Sequence, residues 1–81
     1  MTLQGRRALV TGGGSGIGAA CVRALAAQGA HVIVADFNAE AATAIATEVS
    51  GEAWVVDLSD TAALTDHRLD IDILVNNAGI Q

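Results

Sequence analysis

The residues best placed to do chemistry are the eight from Thr11 to Gly18, TGGGSGIG. They follow the apolar run Ala8-Leu9-Val10 and lead directly into the alanine-rich segment 19–28. Strand, glycine turn and helix in that order set a helix N-terminus against a turn. The first four N–H groups of a helix have no internal partner, and its dipole places partial positive charge there. A pyrophosphate answers both needs. Glycine suits the turn because it takes positive φ and lets backbone approach a ligand without an intervening side chain.

A glycine-rich loop alone is a weak signal, and its surroundings strengthen it. A second apolar run, residues 31–35, ends in the acid Asp36, 18 residues beyond Gly18. An acid that accepts from an adenosine ribose stands about 20 residues after such a loop. The pattern therefore reads as a dinucleotide site. A third apolar run closes on Asp57, and a fourth on Asn76-Asn77. Aspartate also serves as a solvated turn residue, so Asp36 or Asp57 alone decides little. Together, at successive strand ends beside the loop, they point to binding.

The elements that must hold these groups follow from the apolar spacing. A first strand is expected over 6–11 and a helix over 17–28, with Gly29 at its C-cap. A second strand covers 31–35. Asn38 caps a helix over 39–49, on which Ala42, Ile45, Ala46 and Val49 share a face. Ser50-Gly51 ends it, and a third strand runs over 53–56. Asp60 opens a short helix to about His67, and a fourth strand spans 71–75. Strands alternating with helices indicate parallel βαβ units with right-handed crossovers. The expected fold is α/β, a Rossmann-type doubly wound parallel sheet of order 3-2-1-4, with helices over both faces of its first strand. All four polar strand ends then meet at one edge, where one ligand can touch them. Cys21, in line with Ile17 and Leu25, reads as part of a buried helix face, and Trp54 as core. His31, His67, Asp70 and Asp72 read as surface residues.

Composition narrows the function classes. The chain has 81 residues, is 52% apolar and 2% aromatic, and contains nine Gly and no Pro. That suits one small aliphatic-cored domain, or part of one. The net charge of -5 comes with four Arg and no Lys, so no basic patch is available for nucleic acid. No apolar stretch approaches the length of a membrane span. The segment 1–7 lacks the apolar stretch of a secretory leader, and a single Cys cannot form an internal disulfide. A cytoplasmic setting is expected, with no membrane or nucleic-acid partner and no metal.

The motifs together resemble the short-chain dehydrogenases/reductases. The family's cofactor motif TGxxxGxG is matched by Thr11, Gly12, Gly16 and Gly18, and its NNAG motif by Asn76-Asn77-Ala78-Gly79. The resemblance covers the whole chain and implies roles. Gly12, Gly14, Ser15, Gly16, Ile17 and Gly18 line the pyrophosphate and reach toward the nicotinamide. Asp36 accepts from the ribose hydroxyls, with Phe37 beside it. Asp57 and Leu58 contact the adenine edge. Asn77, Ala78 and Gly79 pack on the adenosine side, Asn76 braces the sheet, and Thr11 ties the glycine turn to the fourth strand.

The implied cofactor is NAD. A carboxylate at Asp36 accepts from a ribose 2′-OH and repels a 2′-phosphate, and neither Ser15 nor Phe37 supplies a compensating base. The resemblance also implies a hydride exchanged with a small alcohol or ketone, and assembly as a homo-oligomer. The ending NNAGIQ and the compact Asp57–Ile71 span are similar to 3-hydroxybutyrate dehydrogenases, which implies that substrate. The family's catalytic Ser, Tyr and Lys follow NNAG, and these 81 residues contain no Tyr and no Lys. The expectation is an N-terminal NAD-binding part of a single Rossmann domain, residues 1–81, inactive by itself and partnered by the remainder of its own chain. Two other classes compete. A non-catalytic dinucleotide-binding module would lack a downstream Tyr-x-x-x-Lys. A methyltransferase would need neither a pyrophosphate loop nor NNAG.

Overall fold

The computed structural model describes residues 2–14, 16–55 and 71–77. Its elements are β1 (Arg7–Thr11), α1 (Gly16–Ala27), β2 (His31–Asp36), α2 (Ala39–Glu48), β3 (Glu52–Val55) and β4 (Ile73–Asn76). The short helix expected after Asp60 lies outside the described residues. The four strands form one sheet in the order β3-β2-β1-β4, and every pairing is parallel. This is the expected Rossmann-type order. The chain steps from β1 out to β2 and β3, then β4 returns to the other side of β1. That reversal makes the carboxyl ends of β1 and β4 a switch point, where open α/β sheets bind ligands.

Aliphatic side chains on alternate faces build two unequal cores. Ala8, Val10, Val32 and Val34 pack with Ala19 and Val22 of α1 and with Ala42, Ile45 and Ala46 of α2. On the other face Leu9, Ile33 and Ala35 are buried, with Trp54 and Ile71 packed against them. Both described helices thus cover one face of the sheet. Among the described residues no helix covers the face carrying Leu9, where helices over both faces were expected. Burying each Val, Leu or Ile contributes about 1.5–3 kcal/mol, so the thicker core on the helix side dominates.

The structure corrects the expected face of α1 in part. Cys21 and Leu25 are half-buried and pack against the core as expected, but Ile17 is 69% exposed, and the fully buried residues are Gly18, Ala19 and Val22. The small residues Gly18 and Ala19 let the first turn of the helix approach the sheet closely, and Ile17 is turned outward. The strand ends also differ by a residue or two. β3 starts at Glu52, whose neighbour in the ladder is Ile33. β4 starts at Ile73, with Asp72 bonded to β1 just before it. The Asp72 N–H donates to the Arg7 carbonyl at 2.9 Å, and the Arg7 N–H donates to Asp72 Oδ2 at 2.9 Å. Asp72 is therefore a partnered residue, not simply a solvated one.

Both helices end in the same backbone device. After α1 the Gly29 N–H donates to the Ala26 carbonyl (2.9 Å) and the Ala30 N–H to that of Leu25 (3.2 Å), with Gly29 at φ +96°. After α2 the Ser50 N–H donates to Thr47 (3.3 Å) and the Gly51 N–H to Ala46 (2.8 Å). These are Schellman caps, in which the left-handed position is ordinarily glycine. In the second cap Ser50 takes it, at φ +57°. Gly51 is needed one residue later, because a Cβ there would overlap the Val32 carbonyl oxygen. The two helices are joined by a fork: Arg23 Nε and Nη2 donate to Glu48 Oε2 and Oε1 at 2.6 and 3.2 Å. This hydrogen bonding raises the Arg23 guanidinium above its usual value and holds the Glu48 carboxyl below its own.

Candidate functional site

β1 ends at Thr11, which is buried and donates from Oγ1 to the Val75 carbonyl at 3.3 Å. That bond joins the start of the loop to β4, as the sequence implied. The chain then turns at Gly12, with φ +65°. The N–H groups of Gly12 and Gly13 both reach the Ala35 carbonyl, at 2.7 and 3.3 Å, so the loop first follows the end of β2. Gly13 has no space for a side chain: a Cβ would lie 3.0 Å from Val34 Cγ1 and 3.1 Å from the Val10 carbonyl oxygen. The Gly14 N–H donates to Asp36 Oδ2 at 3.1 Å.

The second half of the loop has a different character. Gly16 opens α1 at φ +59°, and its Cβ position meets open space. Ile17 is exposed next to it. Gly18 is buried, because the first turn of α1 rests directly on the loop. A Cβ at Gly18 would overlap the Gly12 carbonyl oxygen and lie 2.9 Å from Asn77 Nδ2. The leading N–H groups of α1 lack helical partners by the geometry of a helix. The Cβ position of Gly16, at the start of the helix, is open, and a helix start with open space beside it suits an anion.

Asp36 is the buried acid of this edge, with 8% of its surface exposed. Besides the Gly14 N–H, its carboxylate accepts the Asn38 N–H on Oδ1 at 3.1 Å. That second bond is an Asx turn, and it delivers the chain to the N-cap of α2, where Asn38 Oδ1 accepts from the Ala41 N–H at 3.0 Å. Asp36 is thus not a solvated turn residue. Each carboxylate oxygen receives one backbone donor and keeps a lone pair, the arrangement needed to accept two hydroxyls of a ribose. Phe37, beside it, is 76% exposed.

From the end of β4, Asn77 donates from Nδ2 to the Gly12 carbonyl at 3.2 Å. Its side chain braces the turn from the β4 side. Asn76 pairs through its backbone with Thr11. Gly12, Gly14, Gly16, Ile17, Gly18, Asp36, Phe37 and Asn77 are therefore brought to one edge of the sheet. Ser15, Asp57, Leu58, Ala78 and Gly79 lie outside the described residues. Sequence reasoning passed over Gly13 and Ala41. Gly13 sits beneath the turn, while Ala41 Cβ would stand 2.9 Å from a Cβ on Gly14. An acid two residues before a helix cap was the available signal for the Asp36–Asn38 bond.

The described basic side chains lie elsewhere, with other partners. Arg6 and Arg7 lie at the amino end of β1, Arg23 is held by Glu48, and His31 Nε2 is 3.4 Å from Glu52 Oε1. Among the described residues no cluster of His, Cys, Asp or Glu could hold a metal ion, and no helix is long and apolar enough to cross a membrane.

Residues 6–81 match the short chain dehydrogenase family. Sorbitol dehydrogenase of Cereibacter sphaeroides is 43% identical over 99% of this chain, which spans 35% of that protein. The chain also superposes on a 3-ketoacyl-(acyl-carrier-protein) reductase of Brucella melitensis complexed with NADH. That match has a TM-score of 0.78 and 32% identity, over 90% of this chain and 34% of the other. A RhlG/NADP active-site complex from Pseudomonas aeruginosa matches at TM-score 0.76 and 40% identity, over 94% of this chain and 35% of the other. The chain thus spans about a third of the length of these relatives.

Proposed function

The chain belongs to the short chain dehydrogenase family, and we propose that it is the N-terminal NAD(H)-binding part of an oxidoreductase acting on a secondary alcohol. The observation that carries NAD over NADP is Asp36: a buried carboxylate at the end of β2, hydrogen-bonded to the glycine loop. A 2′-phosphate there would meet that carboxylate with no described base to offset it.

The residues fit a dinucleotide on their own geometry. Gly16 leaves open space at the start of α1, and Gly18 has none, so helix and loop are pressed together there, which supports this reading. In this reading Gly12, Gly14, Ser15, Gly16, Ile17 and Gly18 shape the pyrophosphate cradle. Asp36 and Phe37 flank the adenosine ribose, Asp57 and Leu58 meet the adenine edge, and Asn77, Ala78 and Gly79 form the opposite wall. When bound, NAD supplies the hydride acceptor at its nicotinamide. This segment binds and orients. The family's acid/base Tyr, with the Lys that lowers its pKa and its supporting Ser, belongs, in this proposal, to the remainder of the same single domain.

The compact Asp57–Ile71 span and the ending NNAGIQ favour 3-hydroxybutyrate as substrate. The name of the Cereibacter relative makes polyols the competing class. The oxidoreductase would act in the cytoplasm as a homo-oligomer. The test is titration of the protein that carries this chain with NAD and NADP, followed by dehydrogenase assays on 3-hydroxybutyrate and sorbitol. Tighter binding of NADP would overturn the cofactor assignment. Turnover of sorbitol alone would overturn the substrate.

A further inference from the structure

Three consecutive N–H groups of the glycine loop are already committed within the protein. Those of Gly12 and Gly13 end on the Ala35 carbonyl, and that of Gly14 on Asp36 Oδ2. The first half of the loop is therefore tied to the end of β2, and among the described residues it is the part from Gly16 onward that is left to face a phosphate. Gly14 is enclosed as well. A Cβ there would lie 2.9 Å from both Ala41 Cβ and Asp36 Oδ2. The Asp36 carboxylate thus sits between the loop and the first turn of α2, holding Gly14 through one oxygen and Asn38 through the other.

We infer that Asp36 is a positioning residue for the phosphate loop, in addition to the ribose contact proposed above, on which this inference builds. It fixes the loop through the Gly14 N–H before any ligand arrives. Without the carboxylate, a buried N–H loses its acceptor, which is costly enough to make the loop rearrange. Asp36 then matters to ligands that never reach the ribose. A residue that only accepted from the ribose hydroxyls would leave such ligands unaffected.

The test uses the full protein that carries this chain, as Asp36→Ala and as the isosteric Asp36→Asn. Amide hydrogen exchange is followed at Gly14 without ligand, and inorganic pyrophosphate and NAD are titrated into each protein. In Asp36→Ala the expected result is exchange at Gly14 faster by at least about tenfold, the size of a lost hydrogen bond to a charged group, and in Asp36→Asn, which keeps one acceptor oxygen, a smaller increase, while the amides of α1 beyond its first turn stay protected. Pyrophosphate affinity should fall by about threefold or more as the fraction of competent loops falls. Removing a negative charge would by itself raise that affinity, so a fall reports the loop. Unchanged exchange at Gly14, or unchanged or increased pyrophosphate affinity, would overturn the inference while leaving the ribose contact standing if NAD alone is weakened. Loss of protection throughout α1 in both variants would also overturn it, by making Asp36 a residue of the fold at large. Wild-type protein with no preference for NAD would instead overturn the cofactor assignment, and the Gly14 exchange would still decide the role in the loop.

Discussion

Gly18→Ala is the sharpest perturbation of the site, because one methyl group strikes backbone on a rigid element. The added Cβ would overlap the Gly12 carbonyl oxygen, lie 2.8 Å from the Gly12 carbonyl carbon, and lie 2.9 Å from Asn77 Nδ2. The Asn77 amide can swing aside at the loss of its bond to Gly12, but the two Gly12 contacts are backbone and cannot yield by a side-chain rotation. Gly12 is anchored by its own N–H on Ala35 and by the Asn77 amide on its oxygen. Relief must come from α1 lifting off the loop, which disturbs Ala19 and Val22 in the core. Overpacking of a filled interior costs about 1–3 kcal/mol, and the loss of the Asn77 bond adds about 1 kcal/mol. The expected destabilisation is therefore about 2–4 kcal/mol, a large part of the ~5–15 kcal/mol that holds a domain folded. Urea denaturation of the full protein would show it as a lower midpoint at unchanged slope. NAD affinity should fall in the same variant, since the helix N-terminus moves. Stability within about 0.5 kcal/mol of the parent, the range of an inconsequential surface change, would refute the close packing of α1 on the loop.

Three further outcomes follow from other contacts. Ser50→Gly should stabilise the protein by about 0.5–1 kcal/mol, because relief of ~1–2 kcal/mol of left-handed strain outweighs the greater freedom of glycine in the unfolded chain; a thermal midpoint that falls would contradict this. Asn77→Ala should cost about 0.5–1.5 kcal/mol in urea denaturation through loss of its bond to Gly12. Glu48→Gln should change how stability depends on pH. The Arg23 hydrogen bond lowers the folded-state value of Glu48, so its contribution is present above the ordinary glutamate range and is lost as pH falls through the folded value. Thermal melts should show the wild type losing more of its advantage over Glu48→Gln as the pH is lowered through that acid range, and identical pH profiles would exclude the fork as their source.

Much of the fold was legible because the strands announce themselves as aliphatic runs ending in turn or polar residues. Strand order followed from alternation of strands and helices, and Asn38 and Gly29 marked helix ends by side-chain and backbone chemistry that is local in sequence. The face of α1 was legible only in part: Cys21 and Leu25 pack on the core, whereas Ile17 is exposed and Gly18, Ala19 and Val22 are the buried residues. In a segment as rich in alanine as GIGAACVRALAA, apolar residues lie all round the helix, and the choice among faces is made by how closely small residues let it approach. Register at Asp72 was hidden for another reason: its partners, Arg6 and Arg7, are distant in the chain. The roles within the site divide the same way. Asp36 was singled out by its distance beyond the loop. Its bonds to Gly14 and Asn38, and the one from Asn77 to Gly12, exist only once the parallel strands have brought their ends together.

The reversal of strand order at β1 has a consequence for how this edge assembles. Ala8 pairs with Val32 on one side, 24 residues away, and with Ile73 on the other, 65 residues away. On loop-closure entropy alone the longer connection costs about 0.9 kcal/mol more. Contacts of small sequence separation also form more readily early in folding. The unit from β1 to β2 is expected to carry the higher φ-values and β4 the lower ones. The glycine turn and Asp36 would then be built together in the nucleus, and the Asn77 wall would be added last.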